Sequence, residues 1–566
     1  MSELGLLSRL RWPWWAHAGA LLIGLNAMMV APEWWMPYTG FPEPLIALES
    51  VLIVGAFLML PLTIAYWLAP IASLVVLVGL GLALSDLGMG WALGRPLNLA
   101  IDLPLALSVE HLLRGALGRP AAIVVLLLGA LTVAALVVGL TRGLWRLSQP
   151  MRDRGWRIVG GVCLLVLAGG LAAPSARSIA DYVDTPVNIR LTDQVDRLMH
   201  TLAAREEFAQ ALDGDAALSA AKANFAGLKQ RDVVLAFVES YGVSFIHDPR
   251  YRQRSQGTLQ AMRAAFDAAG LGVVSASLRS PVQGGQSWLA HASVLSGHWI
   301  NDQIRYDLYL EAGAPSLIRD FAQTGYQTAA IMPAITKAWP AGEQWGYDQI
   351  HDAARINYAG PALNWVTMPD QYTWHYFESE VRAQADLPLF AELALISSHA
   401  PWTPILPQLD WDLLSDGRLF TPWAQVGPTP AALWSDQARI QRYYARAVDY
   451  ALRTAAQWAQ RALDDGVLVL LGDHQAAPLI TGEGASRDVP VHVISADPQV
   501  LEALVQRGFE PGLSAPKHRL GSLADLRGHF IAAWGGMPIP ETSAHSGQPS
   551  AMAPSPQNQQ ESVSGR

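Results

Sequence analysis

A chain of 566 residues with 51% hydrophobic content and a mean hydropathy of +0.20 is too long for one compact domain and too apolar to be wholly soluble. Its net charge of −9, with no basic block outside the apolar third, argues against nucleic acid as a partner. The apolar excess sits in residues 1–175. Membrane spans are predicted near 14–31, 43–66, 68–87, 120–140 and 157–174, each about long enough to cross roughly 30 Å of hydrocarbon, the last one short. Arg142, Arg146, Arg152, Arg154 and Arg157 stand against the single acid Asp153, and Arg9 and Arg11 precede the first span. Both segments therefore face the cytoplasm, and five spans place everything after about residue 175 outside the cytoplasmic membrane. Trp12, Trp14 and Trp15, with Trp34 and Trp35, bracket the first span as an interfacial belt. A cleaved signal peptide is the competing reading of that span, but no small-residue cleavage site follows and four more spans do. The only cysteine, Cys163, lies in the fifth span. The exported part must therefore hold itself together with a large core rather than disulfides.

Residues 176–230 carry Ala, Leu, Glu and Arg at helical spacing and read as a helical connector on or near the membrane surface. From 231 to 535, strand-like runs (232–238, 271–277, 327–332, 389–397, 466–471, 489–494) alternate with helical patterns (256–269, 314–324, 436–464, 498–507). That alternation predicts an α/β domain with a mostly parallel sheet sandwiched by helices, in which ligands bind at the carboxyl ends of strands. Residues 536–566, rich in Ser, Pro, Gln and Gly, read as a disordered tail.

Chemistry-bearing residues fall at those strand ends. Val233–Val238 runs into Glu239, and Val467–Gly472 runs into Asp473 and His474. Between them Gly284-Gly285-Gln286-Ser287 is a glycine-rich turn that presents a hydroxyl ahead of a predicted helix. Two carboxylates, an imidazole and a hydroxyl suit one hard-to-borderline divalent cation and an activated oxygen nucleophile. Each residue also has a plainer reading. Glu239 could cap the next helix, Asp473-His474 could be a turn, and Ser287 reads equally as a helix cap. His399, in Ser397-Ser398-His399-Ala400-Pro401, follows an apolar run and could bind substrate or protonate a leaving group. His492, inside a strand pattern, is as much a core histidine as a substrate-binding one. His291 and His298, near Ser287, carry weaker signals still.

In this order the motifs resemble the alkaline phosphatase and sulfatase superfamily, in its membrane-anchored branch of lipoteichoic acid synthases, phosphoglycerol transferases and phosphoethanolamine transferases. The resemblance covers the span topology and about residues 230–530. It implies metal ligation by Glu239, Ser287, Asp473 and His474, a nucleophilic role for Ser287, and catalysis and substrate binding at His399. The branch usually carries Thr where Ser287 stands, a change that keeps the hydroxyl. Lipoteichoic acid synthases also use a Trp and an Arg to hold glycerol phosphate; here Trp339 corresponds, no Arg follows it closely, and Lys337 offers the charge instead. Trp288-Leu289-Ala290-His291 after Ser287, and the lack of a cysteine in the exported part, argue against formylglycine chemistry.

The resemblance implies a bacterial inner-membrane, multi-pass enzyme with its catalytic domain outside the cytoplasm. With one divalent ion (Mn or Zn favoured, Mg or Ca compatible), it would move a phospho-head group, phosphoglycerol first, from a membrane phospholipid to a glycan or lipid acceptor through a phospho-serine. A sulfatase-like or phosphodiesterase hydrolase and a catalytically inert scaffold for envelope polysaccharide assembly are the rival expectations.

Overall fold

Where the sequence alternates apolar runs with amphipathic ones, the computed structural model alternates strands and helices; it describes residues 13–35, 44–106, 119–149, 154–171, 182–218 and 224–535. The expected tail, together with Arg9, Arg11, Trp12, Arg152 and Asp153, lies outside the described residues.

The N-terminal part contains α1 (Trp14–Val30), α2 (Leu48–Met59), α3 (Leu62–Leu93), α4 (Leu99–Ala106), α5 (Arg119–Leu147) and α6 (Arg154–Leu171). Among the described residues, three helices are long and apolar enough to cross a membrane: Trp14–Trp35, Leu62–Leu93 and Arg119–Leu147. The expected break between the second and third spans falls earlier than predicted. Leu60 is extended and Pro61 stands at the N-cap of α3, because the proline ring disfavours helical backbone in the residue before it. The result is a 12-residue α2 and a 32-residue α3. At 1.5 Å per residue α2 is only about 18 Å long, too short to cross hydrocarbon unaided. It packs instead on α6, where Gly55 and Gly161 let the backbones approach.

Strand β1 (Ile46–Ala47) pairs in parallel with β2 (Val183–Asp184). It thereby ties the N-terminal helices to the start of α7 (Pro186–Leu218). Glu49 accepts from the backbone N–H of Val187 and Asn188, a carboxylate placed at the positive end of that helix. Farther along, Phe208 and Leu212 of α7 enter the core of the C-terminal domain.

That domain is built on a nine-stranded sheet: β3 (Val233–Val238), β4 (Gly272–Arg279), β5 (Gln327–Met332), β6 (Gln349–Asp352), β7 (Leu389–Leu395), β8 (Val467–Gly472), β9 (Asp488–Ser495), β10 (Glu510–Pro511) and β11 (Gly521–Ser522). The order is β10-β4-β9-β8-β3-β7-β5-β6, with β11 beside β4. Pairing is parallel from β8 through β3, β7 and β5 to β6, and antiparallel where β9 inserts between β8 and β4. The sheet is thus mixed rather than uniformly parallel. Every residue of β3 and β8 is buried, as befits central strands covered on both faces. One face packs on α9 (Arg252–Ala268), whose neighbour α11 (Gln437–Ala462) buries Tyr444, Trp458 and a run of alanines; the other packs on α10 (Ser287–Ser296) and the Phe321 cluster. Because β3, β7 and β8 run the same way, the residues that follow them come out at one edge.

Candidate active site

At that edge β3 ends on Glu239, and its N–H still bonds the Leu395 carbonyl of β7 at 3.0 Å. Ser240 then adopts φ +59° and turns the chain. On the neighbouring strand Asp473 receives two backbone N–H bonds on the same oxygen, from Ser240 at 2.8 Å and His474 at 2.6 Å. Its other oxygen, Oδ2, lies 3.6 Å from His474 Nε2. The His474 Nδ1 faces the Gln475 carbonyl at 2.9 Å, which places a proton there and turns Nε2 toward the carboxylates. Nε2 is 3.2 Å from Glu239 Oε1.

Ser287 completes the group. Its Oγ is 3.1 Å from Glu239 Oε2 and 3.2 Å from His474 Nε2. The N-cap of α10 is Gln286, at φ +65° and without a capping side-chain bond. Ser287 is the first helical residue, and its hydroxyl points at the carboxylate and imidazole instead of back at the helix. Gly284 and Gly285, at φ +75° and +155°, shape the turn before it. The end of α3 presses on that turn. A Cβ at Gly284 would stand 1.9 Å from the Ala92 carbonyl oxygen, and the Arg487 guanidinium bonds the Gly94 carbonyl at 2.7 Å.

Burial opposes ionisation of Glu239, but the His474 imidazolium beside it, with His399 farther off, holds its carboxyl well below the usual range. Burial, together with the charge of Glu239, pushes Asp473 up. Burial pulls His474 down, but the two carboxylates outweigh it and raise its pKa. A proton on His474 thus balances a site that carries excess negative charge. The ligand atoms of Glu239, Asp473 and His474 lie within 4.8 Å of one another. Separations of 3.1 to 3.6 Å within the group suit donors around one ion at about 2.0–2.2 Å, whose tetrahedral edges are about 3.4 Å. These residues therefore fit a divalent cation.

His399 stands exposed at the mouth, its Nδ1 on the Ala400 carbonyl at 2.6 Å. Its loop is clamped from below by Asp370, which sequence reasoning missed. Asp370 Oδ1 accepts from Ile396 N at 2.7 Å and Ser397 N at 2.8 Å, and Ser398 Oγ donates to the Glu239 carbonyl at 2.6 Å. Fully buried, Asp370 has its pKa pushed up to about 7 by desolvation, against the pull of those N–H bonds. The sign of its pH dependence follows. The folded-state value lies above the unfolded one near 3.9, so wild-type stability relative to Asp370→Asn should fall as pH rises from about 4 to about 7. Asp370→Ala leaves two buried N–H groups unpaired and should be about 1–3 kcal/mol less stable than Asp370→Asn at any pH. Thermal melts of the three proteins across that range check both; parallel curves for wild type and Asn would refute the assignment.

A second buried group was equally invisible in sequence. Glu392, mid-strand in β7 and 1% exposed, accepts from the Tyr347 hydroxyl and meets His291 Nδ1 at 2.7 Å. The His291 ring stacks on Phe237, centroids 3.7 Å apart. His291, one helical turn beyond Ser287, thus pins α10 to the sheet. His298 packs edge-on against Phe208.

The expectation that His492 binds substrate is corrected. Its ring is fully buried between the Tyr241 hydroxyl (3.0 Å) and Ser275 Oγ (2.7 Å), and desolvation lowers its pKa to about 3. It is a neutral core histidine. Trp339 and Lys337 lie in the loop after β5, at the same sheet edge but across β7 from Glu239. Lys337 is exposed, and Trp339 is half-buried against the aromatic cluster around Trp345.

No family model matches the sequence, and no curated protein matches it. Among solved structures, the chain is similar to the lipoteichoic acid synthase LtaP from Listeria monocytogenes, with 14% identity and a TM-score of 0.35 over 54% of this chain and 72% of that one. It is also similar to the C-terminal periplasmic domain of EcEptC from Escherichia coli, with 18% identity and a TM-score of 0.37 over 54% and 82%. A third is the Streptococcus pyogenes phosphoglycerol transferase GacH in complex with sn-glycerol-1-phosphate, with 13% identity and a TM-score of 0.33 over 51% and 73%.

Proposed function

We propose that the C-terminal domain is a metal-dependent phosphotransferase that moves a phospho-head group, phosphoglycerol first, from a membrane phospholipid to an extracytoplasmic glycan or lipid hydroxyl. One observation carries this reading: the Ser287 hydroxyl sits between Glu239 and His474 instead of capping its helix. A divalent cation held by Glu239, Ser287, Asp473 and His474 would lower the pKa of the serine hydroxyl and polarise a phosphoryl oxygen. Ser287 Oγ attacks phosphorus in line, and the bond to the diacylglycerol oxygen breaks. His399, exposed at the mouth, is placed to give that oxygen its proton. The positive end of α10 faces the phosphoryl charge. An acceptor hydroxyl then attacks the phospho-serine, and Ser287 recovers its proton. Lys337 and Trp339 lie within the same sheet edge for head-group contact, and which head group they favour follows from the donor used.

The catalytic test is incubation of the detergent-purified full chain with labelled phosphatidylglycerol. Diacylglycerol release with label retained on a peptide containing Ser287 is expected; release without any labelled peptide would replace the covalent route by direct attack of water. Membrane placement is tested separately. With arginines clustered from Arg142 to Arg157 on the cytoplasmic side, an alkaline phosphatase reporter fused after His200 should be active and one fused after Gln149 silent. The reverse pattern would put the domain in the cytoplasm, away from the proposed acceptors.

A further inference from the structure

Helix α7 carries an apolar flank that the rest of the described chain leaves open. Its packed row is Arg190, Gln194, Thr201 and Phe208. Arg190 pairs with Glu33, Gln194 bonds Leu97 O and Leu99 N at 3.0 Å each, and Thr201 Oγ1 accepts from Asn98 Nδ2 at 3.0 Å, while Phe208 enters the core of the C-terminal domain. About 100° round the helix, Leu191, Val195, Leu198 and Leu202, with Met199 beside them, are between 37% and 61% exposed. The opposite flank carries Asp196, His200 and Glu207, all exposed. Helices of the C-terminal domain do the reverse and turn their large apolar residues inward: α8 (Val243–His247) buries Phe245 and Ile246, and α11 buries Tyr444 and Trp458. The row from Leu191 to Leu202 is therefore the apolar face of an amphipathic helix, turned outward.

Depth along the helix bundle identifies what covers that face. Thr141 Oγ1 donates to Ser73 Oγ at 3.2 Å, and Ser148 Oγ donates to the Phe57 carbonyl, just before α3 begins, at 2.6 Å, so α5 runs antiparallel to α3. Val187 packs on Gly79, and Gln194 bonds Leu97, whose N–H reaches Asp86 Oδ1 at 2.6 Å, so α7 rises alongside α3. At 1.5 Å per residue from the level of Ser73, Ile123 of α5 stands about 27 Å up, Leu198 about 26 Å and Ala92 about 29 Å. Ile123, Leu127 and Leu131 are exposed on a helix apolar enough to cross a membrane. The open flank of α7 thus occupies the same slab as they do. Tyr66 and Trp67 near the start of α3 and Trp91 near its end are exposed as well. Trp67 and Trp91 lie about 36 Å apart on the axis, the placing of interfacial aromatic residues on either side of about 30 Å of hydrocarbon.

We propose that the flank of α7 from Leu191 to Leu202 is a membrane-docking surface seated in the extracytoplasmic leaflet of a phospholipid bilayer, an assignment that rests on the membrane placement above but on none of the transferase chemistry. The flank with Asp196 and His200 stays in water. Through Phe208 and Leu212, which lie in the core of the C-terminal domain, the docked helix fixes that domain's height over the bilayer. The test uses full chains with Cys163→Ser and one new cysteine each: Val195→Cys, Leu198→Cys, Leu202→Cys, Asp196→Cys, His200→Cys or Leu128→Cys. Each is labelled with the fluorophore NBD and reconstituted into vesicles of phosphatidylglycerol and phosphatidylethanolamine. Labels replacing Val195, Leu198 and Leu202 should lose most of their emission to a doxyl-labelled lipid and little to aqueous iodide. Labels replacing Asp196 and His200 should show the reverse. The label replacing Leu128, an exposed residue of α5, reads the span itself. If lipid quenches it and leaves the α7 labels untouched, the docking surface is refuted while the spans stand; if lipid leaves it untouched too, the membrane placement falls and takes the docking surface with it. Labels on the apolar flank shielded from both quenchers, with energy transfer between donor-labelled and acceptor-labelled chains, would give the flank to a second copy of the chain and equally overturn the proposal.

Discussion

Ser287→Ala is expected to abolish diacylglycerol release, by a factor of about 1,000 or more, in a protein that still folds. Loss of a helix cap would predict the opposite balance, about 1 kcal/mol of stability with turnover largely kept. The geometry separates the two, because Gln286 occupies the N-cap and the Ser287 hydroxyl lies 3.1 Å from Glu239 and 3.2 Å from His474. Alanine therefore removes a group that the helix does not use. Ser287→Thr keeps an oxygen on the same carbon and adds only a methyl, so it should retain measurable activity and the labelled peptide. Diacylglycerol release by Ser287→Ala at near wild-type rate would show that water, not serine, attacks phosphorus.

Removal of one ligand should have an effect of similar size by a different route. Asp473→Asn keeps the shape and the acceptor for Ser240 N and His474 N but discards a charge, and His474→Ala discards a donor atom outright. Each should cost most of the tightly held divalent ion, measured by elemental analysis of the purified full chain, and activity should fall with occupancy. Chelation of the wild type should silence it, and added divalent ion should restore it. The variants also probe the charge balance. In the metal-free protein His474 carries the proton that offsets Glu239 and Asp473, so His474→Ala leaves two buried carboxylates facing each other and should destabilise the apo protein more than Asp473→Asn does. Full metal occupancy in both variants would mean that other residues hold the ion.

The sequence disclosed most of this arrangement because strands ending in a charged residue are conspicuous. The apolar runs before Glu239 and Asp473 became β3 and β8, paired in register from Val233 with Val467 to Val238 with Gly472, and that register brings the two carboxylates together. Contacts between distant segments left no local signal. Asp370 lies 26 residues before the backbone it clamps, and Glu392 occupies a strand whose pattern is otherwise apolar. Four-residue β6 carries too short a run to stand out, and β9 betrayed nothing of its antiparallel direction, which depends on its neighbours. His492 left the core and substrate-binding readings equally open; only its two partners, Tyr241 and Ser275, show that its polarity is satisfied internally.

The meeting of α3 with the serine turn means that the C-terminal domain is no passenger on a tether. The Ala92 carbonyl fills the space that any side chain at Gly284 would need, and Arg487 holds the next turn of backbone at Gly94. A long apolar helix answers a change in bilayer thickness by tilting, and in the membrane placement proposed here the far end of that lever rests on the turn that carries Ser287. Under the proposed function, lipid composition would then act as a mechanical input to the chemistry. Grafting this domain onto another protein's membrane anchor would demand a matching helix end, since the lever and the turn are cut to fit one another.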